Sequence, residues 1–379
     1  MKILLTEGNN KAILGIIRNI GLKHDVDVIA SVKNYIIHSK YCNSLKIIKN
    51  CDDESLYIES IIQLLCETKY DLIIPVGARS VKYIASHIER INKLTKVFVA
   101  DKNSIEIALN KDKTFEHAKR YGVLIPKTYS FSSLQDIEKN KSTIEYPIII
   151  KSSDESLYKF ETIYVNNYIE LMKALYDCNA KHPQILENKF PIIQEKVIGK
   201  GFGFFALYNK GKCVSYFMHE RIREYPSTGG ASTCARSVYD KDLSNTGIKL
   251  LDSLNWHGLA MVEYKKDEKS DEFKLIEINP KIWGSFELSI KCGVDFINDL
   301  ISLAEEKNIT QRKNYALNKR FQWVFSYTGD LDRLKQRKRD FFYVIADIFN
   351  PWVFNEISFK DFKPNFLQIK ACIKKLIKP

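Results

Sequence analysis

AMVEYKKDEKSDEFKLIEINPKIWGS (residues 260–285) reads as two apolar strands joined by a polar connection, a β-hairpin. Side chains two apart on a strand share a face, so Glu277 and Asn279 point one way while Ile276 and Ile278 point into a core. Glu263 lies on the partner strand and can come alongside. Two carboxylates and an amide oxygen on one surface form a hard-oxygen site suited to Mg2+. That ion takes one or two protein carboxylates and completes its octahedron with phosphate oxygens and water. Either glutamate alone reads as a solvated hairpin position. The whole arrangement, flanked by apolar residues and closed by Asn279-Pro280, reads as a site.

Cations stand at the edges of neighbouring elements. Lys151 ends the apolar strand YPIIIK (146–151), and a charge straight after a buried strand marks the rim of a cleft. Lys113 opens a helix in NKDKTFEHAKRYGVLIP (110–126); a lysine on a surface helix is usually just solvated, so it carries weight only beside Lys151. Two ammonium groups reaching one site neutralise a nucleotide's α- and β-phosphates as point charges. In IIQEKVIGKGFGFFAL (192–207), Glu195 follows an apolar strand and three alternating glycines follow it. Glu195, or backbone near it at Lys196, could accept the proton of an adenine amino group, and the Val197 N–H could meet a ring nitrogen. The pattern G-x-x-x-x-G-K-[ST] is absent, so a nucleotide is held by another scaffold.

YFMHERIREYPSTGGAST (216–233) leaves an apolar strand with His219, Arg221 and Arg223 on one face, then reaches Gly229-Gly230. Two guanidiniums on one face suit bidentate binding of carboxylate or phosphate oxygens, and the glycines let backbone N–H groups approach an anion. The competing reading is a solvent-facing charged strand, with His219 a structural hydrogen bonder.

The first hundred residues alternate short apolar runs, 2–6, 25–31 and 71–77, with helical patterns at 55–68 and 79–92. Such alternation predicts a parallel sheet covered on both faces. Pro75 and Gly77 close its third strand with a loop at the carboxyl end, where open α/β sheets keep ligands. Residues 104–121 read as helical, and strands and helices alternate irregularly to residue 279. The last seventy residues read as aromatic, basic and mostly helical.

Bulk properties narrow the classes. The chain has 379 residues, 45% hydrophobic and 27% charged, ordinary for a globular protein of two or three packed units. MKILLTEGNN turns polar after five residues, which suits a buried first strand better than a signal peptide. No apolar run reaches the roughly 20 residues needed to span a bilayer. Eight cysteines without CxxC pairs predict reduced thiols in a cytoplasmic protein. The net charge of +12 invites a polyanion, yet no nucleic-acid reading module accompanies it.

Taken in order, these segments resemble the ATP-grasp superfamily, and within it the carbamoyl-phosphate-synthase-like carboxylate–amine ligases. The similarity runs from about residue 1 to 300. It implies an α/β and α+β architecture: an N-terminal pre-ATP-grasp domain over 1–103, an ATP-grasp domain over 104–305 with a lid subdomain at about 123–194, and a helical C-terminal extension over 306–379. It also implies ATP with Mg2+, or Mn2+, as cofactors. Lys113 and Lys151 would bind phosphates, and Glu195, Lys196 and Val197 would hold adenine. Glu263, Glu277 and Asn279 would ligate the metal. Arg221 and Arg223, with Gly229 and Gly230, would face the transferred phosphate and the carboxylate, with Lys281 beside them. The implied partners are a small-molecule carboxylate and an amine; a homo-oligomer is an open alternative to a monomer, and no nucleic acid is expected. The implied reaction forms an acyl phosphate, which an amine then attacks.

Three departures stand out. The loop after Lys151, SSDESLYKFET, lacks the glycines of a phosphate cover, Lys281 stands where an arginine is common, and Lys200 where an acid is common. They motivate the alternatives of a nucleotide-binding regulatory protein without turnover or a kinase on the same fold. The segment LDRLKQRKRDFFYVIADIFNPWVF (331–354) joins a basic turn to an aromatic stretch. It reads either as a helix packed on the body or as one resting on an anionic membrane.

Overall fold

The structure, a computed structural model, describes residues 1–152, 160–183, 190–309, 314–326 and 328–377. The chain forms two compact units, one of residues 1–105, 201–261 and 279–379 and the other of residues 106–200 and 262–278. The C-terminal seventy residues therefore belong to the same unit as the N-terminal sheet.

In the first unit, β1 (Lys2–Leu5), β2 (Asp25–Ala30), β3 (Ser44–Ile47) and β4 (Leu72–Ile74) form a parallel sheet in the order β3-β2-β1-β4. Ile3, Leu4 and Leu5 are all fully buried, as a strand covered on both faces requires. The edge strand β3 was not expected: SLKI is short and only half-buried, so its apolar signal is weak. The helical patterns also break where local chemistry stops them. The segment 79–92 divides at His87, and 104–121 divides at Asn110, whose side chain caps the helix Lys111–Arg120.

The second unit contains an antiparallel sheet of β5 (Thr128–Tyr129), β6 (Ile148–Lys151), β7 (Ile163–Val165) and β8 (Ile192–Glu195), ordered β5-β8-β6-β7. Ile148, Ile150, Val165 and Ile193 pack with Leu171 and Leu175 of the helix Tyr168–Lys181. The glycine-free loop after Lys151 falls largely at 153–159, outside the described residues.

A larger sheet comprises β9 (Gly199–Asn209), β10 (Lys212–Tyr225), β11 (Ala231–Ser237), β12 (Gly258–Asp267), β13 (Phe273–Asn279), β14 (Arg320–Gln322) and β15 (Val353–Asn355). Its order is β13-β12-β9-β10-β11-β14-β15. The β9–β10 hairpin turns through Lys210 and Gly211, with φ of 48° and 77°, the left-handed pair a two-residue turn needs. The C-terminal segment, expected to be mostly helical, also supplies β14 and β15, which pair in parallel with Phe321 opposite Phe354. These strands are three residues long, below what alternation in a sequence can reveal. Buried ions fasten this segment: Arg18 bonds the Asp361 carboxylate at 2.9 Å, and Glu356 accepts the N–H groups of Val324 and Ser326.

Candidate active site

Lys151, at the end of β6, is the centre of the second unit's charge cluster. Burial pushes its ammonium down to about 8. The Glu277 carboxylate opposes that shift, the Lys111 and Lys265 ammoniums add to it, and the Glu263 carboxylate opposes it again. Both acids read from the hairpin therefore act on one lysine. Lys111 Nζ stands 4.0 Å from Glu277 Oε2, and Lys265 Nζ donates to the Val197 carbonyl at 3.4 Å. Along β13, Phe273 and Leu275 are buried and share a face with Glu277 and Asn279. That face starts as core and ends as polar groups.

The structure distributes the expected residues unevenly. Glu263, Glu277 and Lys151 gather in one cluster. Lys113 does not join them: its ammonium pairs with Glu106 on the preceding helix, and its side chain is 48% exposed. Lys111, 16% exposed, takes that position instead. Residues two apart on a helix point about 200° from each other, so only one of the two can face the cluster. Asn110 capping sets Lys111 as the first helical residue and decides which. The Glu195 carboxylate accepts the Lys127 N–H at 2.8 Å and the Lys274 ammonium at 2.6 Å, so one of its oxygens is engaged by the chain itself. Lys196 lies over the Tyr164 ring at 5.2 Å, and Val197 is buried.

In the first unit the two arginines of β10 part company. Arg223 is buried, bonding Asp330 at 2.7 Å and Asp347 at 2.6 Å, which makes it an internal ion-pair residue. The β10–β11 register shifts between Arg221 and Arg223, so strict alternation fails there. Arg221 donates to the Gly230 carbonyl at 2.9 Å, tying the turn to its own strand. Gly229 has φ of 133° and its N–H bonds the Pro226 carbonyl at 3.1 Å, so that turn is closed on itself. His219 is fully buried against the Phe205 ring, and burial holds its pKa well below the usual imidazole value.

Lys281 faces a group that sequence reading missed. Its charge acts on Glu7, whose carboxyl is raised by burial and accepts the Ser80 N–H at 3.1 Å. Glu7, Asn9, Asn10, Ser31 and Arg79 line a 250 Å3 cavity. It sits at the carboxyl ends of β1 and β2, where a parallel sheet keeps its ligands. The polar run EGNN straight after β1 was the available signal.

Two carboxylates, Glu263 and Glu277, and the Lys111 and Lys265 ammoniums all act on Lys151. That donor set fits a divalent cation shared with phosphates. Among the described residues no three His, Cys, Asp or Glu side chains gather, so the arrangement is unlike an all-protein zinc site.

The fold is the ATP-grasp fold. The N5-carboxyaminoimidazole synthetase from Staphylococcus aureus, solved with ADP, matches at TM-score 0.65 and 16% identity, over 90% of this chain and 86% of that one. Biotin carboxylase from Campylobacter jejuni, solved with β,γ-ATP, matches at TM-score 0.67 and 17% identity, over 84% and 74%. In sequence, the multifunctional protein ura1 of Schizosaccharomyces pombe is 24% identical over 260 residues, 65% of this chain. The chain spans 11% of the length of the curated relatives it matches. No protein-family model matches.

Proposed function

We propose that this chain is an ATP- and magnesium-dependent ligase that activates a carboxylate as an acyl phosphate and couples it to an amine, releasing ADP and phosphate. The observation that carries this reading is the Lys151 cluster: one desolvated ammonium under the influence of Glu277 and Glu263, with Lys111 and Lys265 beside it. Such a set suits phosphoryl transfer, which depends on positioning and charge neutralisation more than on covalent chemistry by the protein.

Lys151 and Lys111 would hold phosphate oxygens as point charges. Glu263, Glu277 and Asn279 would hold magnesium, which when bound supplies further neutralisation of the phosphates. A substrate carboxylate oxygen attacks the terminal phosphorus, the bond to ADP breaks, and the mixed anhydride forms. The amine nitrogen then attacks the acyl carbon, phosphate leaves, and the nitrogen loses its proton. The 250 Å3 cavity by Glu7, with Arg79 and Lys281 as cations, is the proposed seat of a small substrate. The reading includes polysaccharide or secondary-metabolite pathways as its setting, and the cytoplasm as its compartment. All eight cysteines are free thiols, and no helix among the described residues is long and apolar enough to cross a membrane.

ADP release measured across pools of carboxylates and amines tests the proposal, with Glu277→Gln as the control. Loss of one metal-binding charge lowers turnover about 100-fold, roughly 2.7 kcal/mol. Turnover that survives in the variant would sink the mechanism. ATP binding without magnesium dependence or product, seen by calorimetry, would instead favour a nucleotide-binding protein without turnover.

A further inference from the structure

The helix Phe341–Phe349 is packed with its polar side inward. Asp347 is buried under Arg223 and Arg320, at 2.6 and 2.7 Å, and Val344 is buried beside it. The aromatic residues of the same helix face outward. Phe342 and Phe349 are each 81% exposed, and Trp352 just beyond is 77% exposed. Phe342, Ala346 and Phe349 recur at i, i+4 and i+7, with Ala346 also exposed, so they form one outer stripe. Exposed Lys338 and Arg339 stand one turn ahead of Phe342 on the chain. With Arg337, Gln336 and Ser227 they line a 430 Å3 basin. A second outer strip has the same composition: Phe359, 90% exposed, stacks on Phe362 at 6.2 Å, Phe366 follows one turn on, and Lys360, Lys363 and Lys370 are exposed around them.

A stripe of this kind is not a core that lost its partner, because the buried ion pairs dictate which side of the helix faces the body. Large contiguous aromatics on a surface mark a docking face. The flanking charge selects the occupant. A second copy of the chain would bring Lys338 and Arg339 against their own equivalents, in a protein already at +12. An anionic bilayer meets both demands at once: headgroup phosphates and carboxylates for the cations, and the acyl boundary for Phe and Trp. We propose that residues 336–352 form a peripheral docking site for anionic membrane, with Phe342, Phe349 and Trp352 entering the interface and Arg337, Lys338 and Arg339 holding headgroups.

The chain carries its own reporter. Trp256, Trp283 and Trp323 are buried, which leaves Trp352 as the single exposed tryptophan. The full chain is floated with vesicles of phosphatidylcholine alone and of phosphatidylcholine with phosphatidylserine. It rises with the anionic vesicles, and its tryptophan emission shifts to the blue. Phe342→Ser with Phe349→Ser, or Lys338→Glu with Arg339→Glu, lowers partitioning about tenfold. Trp352→Phe abolishes the emission shift while still floating, which keeps the result readable if a double variant misfolds. Three outcomes overturn the proposal: no flotation with anionic vesicles, flotation indifferent to both double variants, or a dimer in sedimentation that needs the same aromatics while vesicles are ignored.

Discussion

Two lysines in different units, Lys11 and Lys151, are both pushed down to about 8 by burial. Their surroundings differ in kind. Lys11 bonds the Ser232 carbonyl at 3.2 Å, lies over the Trp323 ring at 5.0 Å, and has only carboxylates as charged influences: Glu356, Glu287 and Asp330. Lys151 answers to two carboxylates and two further ammoniums. A depressed lysine is thus no mark of function by itself. The sign of its neighbours is what separates a cation locked into a fold from one prepared for an outside anion.

Substitution at the two positions should split along that line. Lys151→Met removes a charge that the folded state holds at a cost. Nucleotide affinity, read by calorimetry, falls about 100-fold. Thermal stability does not fall, and near neutral pH it rises by about 1–3 kcal/mol, because the folded pKa lies below the ordinary lysine value. A variant that loses both binding and stability would erase the contrast. Lys11→Met parts from it in binding and not in stability. Its folded pKa is lowered to the same value, so removing its charge does not cost stability near neutral pH, while nucleotide affinity stays within about twofold.

The pH dependence of binding sharpens the comparison further. With a free-state pKa of about 8, Lys151 is protonated near neutrality and loses its charge above that value. Triphosphate prefers the charged form, so affinity falls by up to about tenfold per pH unit above pH 8, with proton uptake on binding. Lys151→Arg stays charged throughout and flattens the profile. An unchanged slope in Lys151→Arg would assign the titration to another group.

How much of this was legible depends on how far apart the cooperating residues lie. The strand positions of Glu277 and Asn279 were readable because strand alternation and the Asn-Pro stop are local, and the strand end at Lys151 because an apolar run ends on it. Arg223 was misleading because its partners, Asp330 and Asp347, lie 107 and 124 positions downstream. No local pattern announces an ion pair of that span. The register shifts on either side of Arg223 removed the alternation on which the shared-face argument stood. The N-terminal sheet was legible in its buried strands and not at its half-buried edge, where the side chains carry little apolar contrast.

The smallest effect tests the finest distinction, between Lys111 and Lys113. Both lie in the first turn of one helix, and sequence favours neither without the cap. Asn110 accepts the Lys113 N–H at 3.1 Å, which fixes the register and turns Lys111 toward Glu277 while Lys113 meets Glu106. Lys111→Ala removes one of three ammoniums from the cluster and lowers nucleotide affinity about tenfold, roughly 1.4 kcal/mol. Lys113→Ala deletes an exposed pair and changes affinity by less than about twofold. Asn110→Ala weakens the cap and leaves both lysines present, so an affinity loss there traces to helix register and not to charge. If Lys113→Ala proves the more damaging of the two, the helix presents its other face to the phosphates, and the assignment of Lys111 to the cluster is wrong.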